Sequence, residues 1–272
     1  MIRCLCLALL LAACGPALPP ATLPPLTRVA ATAGITAVPA TLAPTVTAVD
    51  SGWATVAPGL ERRELRVPVA DWPLGERLVV FRVEPTAFTW RVLYTPGFPS
   101  FISAWDSQAR LIFNGGFFDE NDAALGLLVA DGRVFGQSYE GFGGMLAVNT
   151  LGAVSLRSLS AEPYTPSEAL AQAVQCFPML VAPGGAVFDR EDGQRARRTV
   201  LGADADGRLL LIVAPDGGFT LASLAAWLRA SDLGLQLALN LDGGGSTGYF
   251  AGPGDQIDSL TPVPVVVALY DR

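Results

Sequence analysis

Apolar and polar residues alternate in short runs along most of this chain, and the runs end at glycine, proline or Asp-Gly pairs. A period of two over several residues marks a strand with one apolar face. On that pattern residues 64–69 and 78–83 are strands separated by a turn at 71–75, and 89–94 is a third strand, broken by the prolines at 96 and 99. Residues 111–113 are a short apolar strand, and 103–107 a helical turn before it. Asp131-Gly132 stands between the apolar runs 125–130 and 133–137, which is a hairpin signal. Further hairpins join 145–148 to 153–156 and 199–203 to 208–214; 177–182 and 263–270 are single strands.

Two stretches carry a helical period instead. Thr165, Pro166 and Glu168 have the form of a capping box with proline in the first turn, and Ala169, Leu170, Ala173 and Val174 make an apolar stripe after it. Thr220 caps a second helix whose stripe is Leu221, Leu224, Ala225 and Leu228, with Gly234 as its stop. The predicted fold class is α+β: one strand-rich domain over residues 60–272, with a mixed β-sheet and a few packed helices.

The first residues read differently. Residues 1–14, MIRCLCLALLLAAC, hold one arginine, a short apolar run and small residues, which is a secretory signal too short to span a bilayer as a mature helix. Leu11-Ala12-Ala13-Cys14 resembles a bacterial lipobox, in which the Cys14 thiol is lipidated; the rival reading is ordinary cleavage near Ala13. Both predict export, and the lipobox predicts a domain anchored to the bacterial cell membrane and facing away from the cytoplasm. Residues 15–59 form a disordered tether, rich in proline, alanine and threonine up to residue 48.

Composition narrows the chemistry. The chain has no histidine, which excludes Ser-His-Asp and Cys-His catalysis and any imidazole metal ligand. A net charge of -7 argues against nucleic acid as a partner. Three of the four cysteines lie in the first 14 residues, so Cys176 has no partner in the domain and reads as a buried, inert thiol.

What remains is carboxylates, arginines, hydroxyls and bare backbone, and these gather in three places. In Leu235–Phe250 the leucines 235, 237, 239 and 241 fall on one strand face and Gln236, Ala238, Asn240 and Asp242 on the other. The strand then runs into Gly243-Gly244-Gly245-Ser246-Thr247, where bare backbone admits close approach of a ligand. Asn114-Gly115-Gly116-Phe117-Phe118-Asp119 repeats the theme after the 111–113 strand, and Arg195, Arg197, Arg198 and Thr199 form the third segment. If the strands are neighbours, their ends build one cleft.

The runs NGGFFD at 114–119, RRTVLGADADG at 197–207 and ALNLDGGGST at 238–247, in this order, resemble the phosphodiester glycosidase family over about residues 80–270. The resemblance implies cleavage of a sugar–phosphate diester at the anomeric carbon, on a carbohydrate phosphodiester of the cell envelope or extracellular glycans. The departing phosphate monoester needs charge stabilisation more than protonation, and an arginine fork suits it. Arg198 is then the phosphate clamp, ahead of Arg197, because strand neighbours face opposite ways. Asp242 is the carboxylate at the sugar centre, as nucleophile or base, and Asp119 the candidate second carboxylate. Asn114 and Asn240 orient the substrate, N–H groups of Gly243–Ser246 cradle phosphate oxygens, and Gly115, Gly116, Thr199 and Thr247 complete the binding set. No cofactor is required.

Blander readings stand beside these. Asp242 caps its own glycine turn; the arginines are a solvated loop facing Asp189, Glu191 and Asp192; Phe117 and Phe118 belong to the core more than to a sugar platform. The acidic turn Asp119, Glu120, Asn121 and Asp122 is solvated, with a hard cation such as Ca²⁺ as the alternative. Two other functions fit the same residues, a non-catalytic phosphoglycan-binding lipoprotein and a phosphodiesterase that breaks P–O.

Overall fold

A computed structural model describes residues 49–272, so the predicted signal peptide, Cys14 and the predicted tether up to residue 48 lie outside the described residues. The described residues 49–59 already carry strands ahead of residue 60. Val49–Asp50 and Ala54–Ala57 both pair with the strand Leu60–Val69, and Arg63 holds Asp50 by two hydrogen bonds of 2.8 and 2.6 Å.

Three sheets make up the fold. The central one has the order Val49–Asp50, Leu60–Val69, Trp72–Val83, Leu209–Ala214, Arg198–Asp204, Leu235–Asn240, Met179–Val181. The second runs Val154–Ser158, Gly144–Asn149, Leu170–Cys176, Leu128–Ala130, Arg133–Phe135. The third runs Gln256–Ile257, Tyr249–Phe250, Leu111–Asn114, Val265–Asp271, Phe88–Tyr94. Every strand pair among the described residues is antiparallel. The mixed sheet and the α+β class are therefore corrected to a mostly β fold. Many neighbouring strands are joined by tight turns, which enforce antiparallel pairing. At Asp131-Gly132, for example, both residues adopt positive φ (48° and 74°), the backbone that a two-residue hairpin demands.

Alternation sorts the side chains between layers. In Trp72–Val83, Val79, Phe81 and Val83 join a core shared with Phe113, Val267, Leu146 and Val174 of the other two sheets. Leu78 and Val80 point the opposite way, into a layer closed by Leu224, Ala225 and Leu228 of the helix Leu221–Ala230. That helix starts as predicted, with Thr220 and Ser223 forming a reciprocal cap. It stops at Ser231, before Gly234.

The second predicted helix is a strand. Glu168 does accept the Thr165 N–H at 2.8 Å, so the local cap forms, but Leu170–Cys176 then runs through the middle of the second sheet. Two buried glutamines explain why. Gln172 Oε1 accepts from Val92 N (3.0 Å) and Asp131 N (3.2 Å), and Gln175 Oε1 from Tyr139 N (2.8 Å) and Leu127 N (3.3 Å). These partners lie on other strands and loops, and no helix reaches them. Packing across the sheet overrides a local helix signal.

Leu235 is also on the other face from its neighbours. The register against Arg198–Asp204 shifts between Ala203 and Asp204. Leu239 and Leu241 therefore enter the shared core, while Leu235 packs under the helix with Ala238.

Candidate active site

Strands from all three sheets end at one place. Leu111–Asn114, Leu170–Cys176 and Leu235–Asn240 each finish there, and Arg198–Asp204 begins there. Val200 pairs with Asn240, and Leu241 N donates to Thr199 O at 2.9 Å, so Arg198 comes alongside Asp242. A Cβ on Gly243 would stand 3.9 Å from Arg198 Cδ.

Asn114 ties the ends together. Its Oδ1 accepts from the Thr199 hydroxyl at 2.7 Å and from Gly248 N at 3.2 Å, and its Nδ2 donates to Asp242 O at 2.7 Å. The side chain is committed to the scaffold. Asp242 N in turn donates to Gly115 O at 3.2 Å. Gly116 lets the sheets meet, since a Cβ there would sit 3.0 Å from Val174 Cγ1 and 3.5 Å from Cys176 Sγ.

The glycine run is largely bonded to the protein itself. Gly243 N donates to Asp242 Oδ1 (2.9 Å), Gly244 N to Arg197 O (2.8 Å) and Ser246 N to Gly243 O (3.1 Å). Those three N–H groups are not free to form the predicted phosphate cradle. Gly244 has φ +59° over open space, the left-handed turn that only glycine adopts cheaply. The Thr247 side chain is 0% exposed and its Oγ1 has no partner.

Asp242 is half-buried. Burial pushes its carboxyl above the usual carboxylate range, against the Ser246 hydroxyl and Gly243 N–H, which favour the charged form. Behind it Cys176 is fully buried, and its thiol is pushed up by burial and by the charge of Asp242, which leaves it protonated.

Arg197 and Arg198 are half-buried cations without counterions. Neither forms an ion pair with a carboxylate among the described residues, unlike Arg62, Arg63, Arg82 or Arg157. Each makes one bond to a carbonyl, Arg197 to Asp258 O (2.9 Å) and Arg198 to Gln194 O (2.7 Å), and each leaves a buried Nε with no partner. Burial lowers both guanidinium pKa values; longer-range attraction offsets this in part, from Asp258 and Asp216 for Arg197 and from Asp192 and Glu191 for Arg198. An uncompensated buried charge is costly and is relieved by a bound anion. Arg195 is more exposed and donates to Gly218 O and to Ala70 O (2.8 Å).

Asp119 is held elsewhere. Its Oδ1 accepts from Asn121 N (2.8 Å) and Ala123 N (2.9 Å), closing its own turn, and no hydrogen bond links it to Asp242. Among the described residues no three acidic, cysteine or histidine side chains gather as metal ligands, so the acidic turn at 119–122 forms no such cluster.

Two groupings of residues were not read from the sequence, although Phe117 alone was. Glu76 is 0% exposed and its carboxylate takes the N–H groups of Asp216 (2.8 Å) and Gly218 (2.5 Å). That loop bonds back to the arginine segment through Ala196 N to Phe219 O at 3.2 Å. The signal was a lone glutamate beside an apolar run. Phe117, Tyr139, Phe142 and Phe177 form the second group, a cluster of touching rings beside Cys176. Nothing in their spacing announces it.

Among the described residues five buried side-chain atoms have no partner; those on Arg197, Arg198, Asn240 and Thr247 lie in this region, and Arg157 holds the fifth. Such atoms are rare in folded proteins and are grounds for expecting a ligand.

Comparison with known proteins bears on the same residues. Residues 107–270 match the family model for phosphodiester glycosidase. No curated protein sequence matches the chain. Among solved structures it is similar to the zebrafish N-acetylglucosamine-1-phosphodiester alpha-N-acetylglucosaminidase catalytic domain auto-inhibited by its pro-peptide, with a TM-score of 0.63 and 19% identity over 84% of this chain and 89% of that one. It is also similar to a hypothetical protein from Synechocystis, with a TM-score of 0.60 and 15% identity over 81% of this chain and 63% of that one. At these identities the two structures bear on the fold alone.

Proposed function

This chain belongs to the phosphodiester glycosidase family, and from that premise we propose that it hydrolyses a sugar-1-phosphodiester at the anomeric C–O bond. One observation carries the reading to these residues: two adjacent half-buried arginines that form no ion pair among the described residues, with Arg198 opposite Asp242 in the strand register.

Arg198 receives the phosphate, with Arg197 as a second source of positive charge. Charge that develops on the departing phosphate monoester is stabilised there without prior protonation, in a site where water does not screen it. Asp242 acts on the sugar side. Its raised pKa makes its ionised form a stronger base than a solvated aspartate. It draws a proton from water as the oxygen attacks the anomeric carbon. The C1–O bond breaks and the electron pair leaves with the phosphate monoester. Asp119 is left out of this step, since its Oδ1 closes its own turn and no hydrogen bond ties it to Asp242.

The test is a panel of glycosyl-1-phosphodiesters offered to the purified chain. Release of reducing sugar is the expected result. Binding across the panel without turnover would contradict the reading in favour of a phosphoglycan-binding protein.

We also propose export and lipidation at Cys14, motivated by the Leu11–Cys14 sequence. Radiolabelled palmitate entering the full chain, and absent from Cys14→Ser, is the expected outcome. Label in both variants would contradict it.

A further inference from the structure

Phe177 is the hub of an aromatic shelf beside the carboxylate. Its ring centroid lies 4.9 Å from Phe117, 5.3 Å from Tyr139 and 5.7 Å from Phe142, and Tyr139 stacks on Phe142 at 5.0 Å and 30°. Tyr139 is fixed at both ends, by its N–H to Gln175 Oε1 (2.8 Å) and its hydroxyl to Leu125 O (2.6 Å). Yet Phe142 and Phe177 remain 50% and 41% exposed. Touching phenyl rings held out to solvent next to a reactive group are unused binding surface.

The shelf is joined to the site through its backbone. Asn240 Nδ2 donates to Phe177 O at 3.0 Å, and Asn240 N donates to Pro178 O at 3.0 Å. Cys176, the residue before Phe177, faces Asp242. Because Phe177 O accepts from Nδ2, the orientation of the Asn240 amide is set, and its Oδ1 is left buried without a partner in a residue only 4% exposed. That free atom is an acceptor. It welcomes a hydroxyl or amide N–H and repels a phosphate oxygen. The free atom of Arg198 is a donor with the opposite preference. The site therefore has two poles.

We propose that Phe142 and Phe177 form the glycosyl subsite: the apolar C–H face of a pyranose stacks on one ring and its edge meets the other, which stands at 73° to the first, a sugar hydroxyl or acetamido N–H meets Asn240 Oδ1, and the phosphate lies at Arg198. This rests on the hydrolase reading above and adds which end of the substrate goes where. Amphipathic sugar rings suit such a surface because one side of the ring is C–H and its edge is polar.

Two measurements test it separately from that reading. The first is saturation-transfer NMR with methyl pyranosides, which needs no turnover. The ring C–H protons should receive saturation from the unaltered protein, and the signal should fall at least fivefold in Phe177→Ala and Phe142→Ala while Phe177→Tyr keeps it. The second is kinetics on a pyranosyl-1-phosphate methyl ester. KM should rise about tenfold in each alanine variant, with inhibition by inorganic phosphate unchanged. Unchanged NMR signal and KM in both alanine variants would overturn the subsite. So would a KM rise confined to esters with a long alkyl aglycone, which would give the shelf to the aglycone. Equal weakening of phosphate inhibition would reduce the rings to general packing and would also overturn it. Absence of turnover by the unaltered protein, with the NMR pattern as expected, would count against the hydrolase reading and leave the sugar subsite standing.

Discussion

Asp119 and Asp242 belong to chain segments of the same kind, an apolar strand that closes on an asparagine near glycines and a carboxylate. Their surroundings are opposite. Asp119 uses its Oδ1 to accept two N–H groups of its own turn, at 2.8 and 2.9 Å. Asp242 takes the Gly243 N–H, stands half-buried against Cys176, and has an arginine alongside that lacks a counterion. The two carboxylates differ in what is left unsatisfied around them. Residue type and neighbouring glycines do not mark a site by themselves. Buried polar atoms without partners do, because folding alone gives no return for leaving them so.

Substitutions at four positions break or sharpen that contrast. The largest effect is expected at Asp242. Asp242→Asn should lower kcat by about 10²–10⁴-fold, the usual loss on removing a general acid or base. Thermal unfolding should show no loss of stability. The sign follows from the raised pKa: the folded state holds the proton more tightly than the unfolded chain, so the carboxyl favours folding at low pH. That contribution is lost as pH rises through the folded pKa, so a neutral amide removes a cost present at neutral pH. The same shift predicts a kcat/KM profile whose acid limb lies above the ordinary aspartate value of about 3.9. An acid limb at or below that value would take Asp242 out of the base role.

Arg198→Ala comes next, with an expected loss of about 10²–10³-fold in kcat, similar to deleting one preorganised charge-stabilising donor. Arg198→Lys should restore only part, since an ammonium lacks the planar fork. Glu76→Gln acts through the arginine segment. It should raise KM and weaken inorganic phosphate inhibition with little change in kcat. It should also cost about 1–3 kcal/mol of stability, because one buried N–H loses its acceptor. The smallest effect belongs to Asp119→Ala. Losing its turn cap should cost about 1 kcal/mol in denaturant unfolding, with kcat within about twofold of the unaltered protein. A tenfold kcat loss there would restore Asp119 to the mechanism.

Much of this was legible in the sequence, for identifiable reasons. Hairpins with Asp-Gly turns, the Thr220 cap and the strand entering the glycines were readable because their signals are local. So was the grouping of Asn114, Arg198, Thr199 and Asp242, through motif order. Leu170–Cys176 was misread as helix because the partners of Gln172 and Gln175 are remote in sequence. The face of Leu235 depended on a register shift in a neighbouring strand. That three of the predicted cradle N–H groups are bonded within the protein was hidden for a similar reason: whether an N–H is free depends on Arg197 O and other acceptors. The aromatic shelf was invisible, since its rings come from three separate loops.

The central claim is that this site breaks the bond between the anomeric carbon and oxygen. Hydrolysis of a glycosyl-1-phosphodiester in ¹⁸O-water, followed by mass spectrometry of both products, tests it directly. The account predicts label in the released sugar and none in the phosphate monoester. Label in the phosphate monoester would show P–O cleavage and contradict it.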